Sequence, residues 1–244
     1  MKNKSVSSAF TIIELLAIIA VVALLALTQL PALARVTRQS KVAQCADNLR
    51  QFSLAVHVYG NESNDNLPRN SGGNWAWDLE WNVGLRLNRS GAPWQVMYCP
   101  GTAPRFTDAD NNALYNFAGG SYHITGYANT FAPAPPGVGV VQLTNQNSTL
   151  TPQSQQVGLV TLPPAIPSGR VLLADATISV NNGTGTASGS FTDVVGGYPR
   201  HHTSPHLDGN LPEGGNLAML DGHVEWRKFQ DMRIRTTSGP YFWW

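Results

Sequence analysis

Four residues late in the chain have side chains suited to holding a divalent cation: Asp175, His201, Asp221 and His223. Carboxylates and imidazoles bind Ca²⁺ or Zn²⁺, and such an ion would stabilise a small exported domain, so a structural Ca or Zn site is one expectation for them. The preferred reading needs no ligand, so no cofactor is expected. Asp221-Gly222 followed by His223-Val-Glu-Trp is the sequence of a tight β-hairpin turn, with Leu217–Leu220 and Val224–Lys228 as its strands and His201 bonded to the turn. Cys45 and Cys99 are the chain's two cysteines, and in an oxidising compartment they form one disulfide; two buried thiols are the alternative. No catalytic constellation accompanies them. Gly-x-Ser-x-Gly, His-Glu-x-x-His and a phosphate loop are absent, so an enzyme is not expected.

Two groups of aromatic residues remain, Trp75, Trp77, Trp81 and Trp94, and the terminal Tyr241-Phe-Trp-Trp244. They read as core filling or subunit contact, with carbohydrate binding as the alternative. The net charge of +1 supplies no field to gather nucleic acid, which is not expected as a partner.

The elements that position these residues begin with an apolar run. Met1–Ala9 is polar and carries Lys2 and Lys4; from Phe10 to Ala34 the sole ionisable side chain is Glu14. As helix, that run covers about 37 Å, enough for a bilayer core of about 30 Å. A carboxylate there costs about 2.5–3.5 kcal/mol on insertion scales and calls for a partner. The leader lysines place the N-terminus in the cytoplasm. An ordinary secretory signal cut after Ala32-Leu33-Ala34 is the alternative.

Phe10, Glu14 four residues on, and Pro31 at the twenty-second position counted from Phe10 resemble the class III signal of type IV prepilins and type II secretion pseudopilins. The resemblance implies cleavage between Ala9 and Phe10 by a prepilin peptidase, N-methylation of Phe10, and assembly in which Glu14 pairs with a neighbouring subunit's amine. Ala9 stands where that family has Gly. Cys45-Ala-Asp-Asn-Leu-Arg-Gln-Phe, Met97-Tyr-Cys-Pro100, Leu172-Leu-Ala-Asp175 and Asn216-Leu-Ala-Met-Leu-Asp-Gly-His-Val-Glu225 further resemble a pseudopilin-like family abundant in planctomycetes, verrucomicrobia and lentisphaerae, with a His-x9-Asp-Gly arrangement. Here Arg200-His201 lies twenty residues before Asp221, so 202–215 reads as carrying an insertion. The implied function is a structural subunit of a pilus-like or pseudopilus-like filament. Its partners would be copies of itself, the prepilin peptidase and an inner-membrane assembly platform. Its place would be the inner membrane and then a periplasmic or cell-surface filament. A membrane-anchored or secreted binding module, with glycans as ligand, is the alternative; a metal-dependent secreted enzyme ranks below it.

The expected fold class is α+β: a long N-terminal hydrophobic helix packed on a mostly antiparallel β domain with long loops. The expected domains are a leader at 1–9, a filament-core helix at 10–34, an amphipathic continuation at 35–60 and a globular part at 61–244. Val42, Cys45, Leu49, Phe52, Val56 and Tyr59 recur at three- and four-residue steps and should bury one face. Further on, a short helix is expected around 76–87 and strands at 96–98, 122–127, 157–160, 171–174, 217–220 and 224–228. Insertions are expected near 131–164, 181–190 and 202–215.

Overall fold

The computed structural model describes residues 11–70, 73–132, 143, 146–157, 160–180, 189–237 and 239–244. The chain divides into two compact units, Met1–Ser40 and Lys41–Trp244. Helix α1 (Ile12–Glu62) contributes to both. It starts on a reciprocal cap: the Glu14 carboxylate accepts from the Thr11 backbone N–H (2.9 Å) and hydroxyl (2.7 Å), while the Thr11 hydroxyl faces the Glu14 N–H (3.3 Å). In the first unit every side chain from Thr11 to Leu24 is exposed, Ile12 at 79%. In the second unit the helix buries Cys45, Leu49, Phe52, Ala55 and Val56, because a three-then-four spacing keeps them on one face.

After α1 the strands among the described residues are, in chain order, β1 (Asp78–Glu80), β2 (Tyr122–Ile124), β3 (Tyr127–Asn129), β4 (Gln155–Val157), β5 (Val160–Leu162), β6 (Val171–Asp175), β7 (Ile178–Ser179), β8 (Leu207–Asp208), β9 (Leu211–Pro212), β10 (Gly214–Met219), β11 (Val224–Lys228) and β12 (Tyr241–Phe242). The central sheet has four strands in the order β11-β10-β6-β3, all antiparallel neighbours. Strands β6 and β10 are buried along their whole length, as inner strands covered on both faces must be. The pairs β1-β2, β4-β5, β7-β12 and β8-β9 are short two-stranded ribbons. Helices α2 (Trp81–Arg89) and α3 (Asp108–Tyr115) are both capped by side chains: Glu80 accepts from the Val83 N–H at 2.8 Å, and Thr107 and Asp110 form a capping box.

The expected architecture is corrected here. Among the described residues no helix is long and apolar enough to cross a membrane. In the first unit the described apolar side chains from Ile12 to Leu25 are exposed, and in the second one face of α1 is buried from Cys45 onward. The second unit is sheet-rich and its strand pairs are antiparallel, as expected, but the strands are short: among the described residues one four-stranded sheet stands beside two- and three-residue ribbons, helices α2 and α3 and several 3₁₀ turns. The physical reason is composition. With 39 Gly and Pro in the chain, extended segments are cut short before they can pair over length.

Smaller expectations shift as well. The helix sought at 76–87 forms at Trp81–Arg89, after β1. The strand sought at 96–98 is instead a 3₁₀ turn over Trp94–Met97, started by Pro93. The segment 122–127 breaks at Thr125-Gly126 into β2 and β3, and 157–160 straddles the facing ends of β4 and β5. Of the expected insertions, 133–142 and 181–188 lie outside the described residues. The 202–215 stretch does not bulge away: His202, Thr203, Ser204 and His206 are buried.

Candidate metal centre

Four elements of the second unit converge on one buried point. Cys45 faces inward from α1, one helical turn before Leu49. Cys99 ends the extended Tyr98-Cys99 step and caps the 3₁₀ turn Pro100–Thr102, its sulfur accepting from the Gly101 N–H at 3.3 Å. Asp175 is the last residue of β6, an inner strand, and so lies under the sheet's own cover. His206 stands just before β8, with its carbonyl accepting from the Glu213 N–H at 2.9 Å across the β8-β9 ribbon. Their exposures are 0%, 1%, 1% and 3%.

The contacts are short. Cys45 Sγ donates to Asp175 Oδ1 at 2.8 Å, and His206 Nε2 lies 3.3 Å from Asp175 Oδ2 and 3.2 Å from Cys99 Sγ. One ligand atom from each residue lies within 4.8 Å of all the others, so the four form a group that could hold a metal ion. A surrounding layer orients them. The Asn216 backbone N–H donates to Asp175 Oδ2 at 2.6 Å and its side-chain amide at 3.2 Å. The Tyr127 hydroxyl donates to the Cys45 carbonyl at 3.3 Å and lies 3.4 Å from Cys45 Sγ. Trp226 meets the His206 ring edge-on at 5.3 Å.

The electrostatics follow from burial and from these bonds. Burial by itself disfavours the charged form of both Asp175 and His206, but each offsets the other's penalty. Burial would lift Asp175, yet the His206 hydrogen bond and charge hold it below the usual carboxylate value. Burial would lower His206, yet the hydrogen bond and charge of Asp175 push it up to about 10. Without an ion the two make a buried ion pair, and removing one member of such a pair typically costs about 3–5 kcal/mol. Burial pushes the Cys45 thiol well up and the Cys99 thiol to about 11, so both are protonated thiols at neutral pH unless a cation displaces the proton.

Of the residues marked by sequence, Asp175, Cys45 and Cys99 meet here, the cysteines as free thiols. His201 does not join them; its Nδ1 pairs with Asp193 at 3.1 Å on the surface. Asp221 pairs with His223, 2.6 Å from Oδ1 to Nδ1, at the exposed tip of the β10-β11 hairpin, where Gly222 takes φ 88°. Ala9 and Phe10 lie outside the described residues, and Pro31 falls within α1. Of the aromatics, Trp77 and Trp244 are fully buried, and Trp77 stacks on His202 at 4.3 Å.

His206 is the member that sequence reasoning misses. Its signal is present: Asp208-Gly209-Asn210 marks a tight turn, which makes His206 the residue entering a hairpin beside the strand that carries Asn216. An even pair of cysteines reads first as a disulfide, and that reading hides two sulfurs as ligands. No family model, curated protein or solved structure matches this chain.

Proposed function

We propose that the chain is a structural subunit of a type IV pilus-like or type II secretion pseudopilus-like filament, assembled through the N-terminal part of α1 after cleavage between Ala9 and Phe10. The observation that carries this reading is the unbroken exposure of the apolar side chains from Ile12 to Leu24, with Glu14 the sole ionisable group among them. A continuous apolar surface of that size on a chain that also folds a buried core marks a surface meant for lipid or for other copies of the helix. Before assembly this exposed apolar surface would hold the chain at the inner membrane. The role is structural, not catalytic. The structural Ca or Zn ion considered for Asp175, His201, Asp221 and His223 would need other ligands, because His201 and His223 pair elsewhere and Asp175 is grouped instead with Cys45, Cys99 and His206.

Because Glu14 also caps α1, replacing it by Ala would confound charge with helix initiation. Glu14→Gln keeps the acceptor and removes the charge. In cells carrying that variant the chain should be cleaved and membrane-borne but missing from sheared filaments, whereas the unaltered chain is found there with methylated Phe10 as its first residue. A mature chain beginning at Arg35, or Glu14→Gln filaments in normal yield, would refute the reading.

A further inference from the structure

The group built from Cys45, Cys99, Asp175 and His206 has more order than an ion pair beside two thiols needs. His206 Nε2 is directed at two atoms at once, Cys99 Sγ and Asp175 Oδ2, although a ring nitrogen carries at most one proton to give. Its backbone sits at φ 54°, a left-handed conformation that costs a side-chain-bearing residue about 1–2 kcal/mol and is retained where surroundings demand it. Gly101 completes the cradle. A Cβ at that position would lie 2.9 Å from His206 Cε1 and Nδ1, so only glycine admits the ring.

We propose that Cys45, Cys99, Asp175 and His206 coordinate one zinc ion in a closed, tetrahedral structural site that fastens the root of α1 to the sheet and to the β8-β9 ribbon. The donor set decides the ion: two sulfurs, one imidazole nitrogen and one carboxylate oxygen suit zinc, whereas calcium and magnesium take oxygen ligands. Bond lengths of about 2.0–2.3 Å imply ligand-to-ligand edges of about 3.3–3.8 Å. The contacts of 2.8 and 3.2 Å are shorter than those edges and that of 3.3 Å matches the shortest of them, while all four ligand atoms lie within 4.8 Å of one another, so shifts of about an ångström bring the group to a tetrahedron. Binding forms four metal–ligand bonds and changes no oxidation state. Each thiol gives its proton to solvent, and His206 gives up the one that it holds in the ion pair. Two thiolates and a carboxylate then exceed the charge of the ion by one. The N–H groups of Asn216 and the hydroxyl of Tyr127 face that excess, as the outer layer of a metal site does. The site does not depend on filament assembly.

The test uses the full chain, purified in detergent without chelators. Elemental analysis should give one zinc per chain, with both thiols reactive only after unfolding. Replacing zinc by Co²⁺ should give the visible absorption of tetrahedral thiolate-bound cobalt, which Cys99→Ser and His206→Ala should abolish. Because those variants break the core, Tyr127→Phe serves as the mild one: it should fold and bind zinc about 10–100-fold more weakly in chelator competition. A metal-free chain lighter by two hydrogens, with no thiol after unfolding, would mean a Cys45–Cys99 disulfide and overturn the proposal. So would a metal-free chain with two thiols that takes up no cobalt, or zinc affinity unchanged in Tyr127→Phe.

Discussion

Asp78 is a carboxylate where the fold resists a charge, and replacing it should change how stability depends on pH. Its Oδ2 accepts from the backbone N–H groups of Asn74 (2.8 Å) and Trp75 (2.9 Å), while Oδ1 is buried without a hydrogen bond. Burial outweighs the two bonds and raises its pKa from 3.8 to about 7. At about 1.4 kcal/mol per pH unit, that interval is worth about 4 kcal/mol. The sign follows from linkage: the folded state binds the proton more tightly, so stability is greatest below 3.8 and falls as pH rises toward about 7. His202 opposes it. Burial, with the charges of His201 and Arg105, lowers its pKa from 6.5 to about 4, so its contribution is complete above 6.5 and falls by about 3 kcal/mol as pH drops to about 4. Between those limits the two nearly cancel. Over that interval the unaltered chain should show a shallow profile, and Asp78→Asn should lay the His202 slope bare. Urea unfolding of both chains from pH 4 to 8, followed by tryptophan fluorescence, reads the difference. The stability of Asp78→Asn minus that of the parent should rise by about 4 kcal/mol across the range; the buried amide adds only a constant offset. A difference that stays flat with pH would refute the assignment of the penalty to Asp78.

Two further substitutions probe the elements that hold the site. Phe52→Ala removes a ring that is 1% exposed and lies 6.2 Å from Tyr127; it should cost about 3–5 kcal/mol in urea unfolding, and a loss below about 1 kcal/mol would mean that α1 is not a core element. Thr107→Ala removes the α3 cap, including the acceptor for the Asp110 N–H at 3.3 Å, and should cost about 1 kcal/mol with hydrogen exchange quickened across 108–115.

Patterns of burial were legible in the residues, and short or distant relations were not. Cys45, Leu49, Phe52 and Val56 repeat at the helical period and all four are buried. Val171–Asp175 and the strands around Asp221-Gly222 could be read because β-branched and aliphatic runs there end on turn residues. Helix α3 escaped notice because eight residues are too few for a period to emerge; only Leu114 and Tyr115 are its buried apolar members, and its mark is the Thr107-to-Asp110 cap. Val96-Met97-Tyr98 has strand composition, but the 3₁₀ turn that starts after Pro93 takes in Val96 and the buried Met97 and leaves Tyr98 extended. The exposed fate of Ile12–Leu24 cannot follow from composition, since an apolar run says that it must be covered and not by what. For the four-residue group, types were readable but proximity was not. Asp175 and His206 meet only after β10 has paired with β6.

That dependence bears on how the molecule is made. The four side chains come from residues 45, 99, 175 and 206, so the last of them leaves the ribosome long after the first. Until then Asp175 lacks its cation and the buried face of α1 around Cys45 has no finished floor. Closing loops of that length is slow and entropically costly, which puts the group among the late contacts. A chain interrupted before His206 therefore cannot seal its interior, and a sealed interior identifies a chain translated and folded at least to that point.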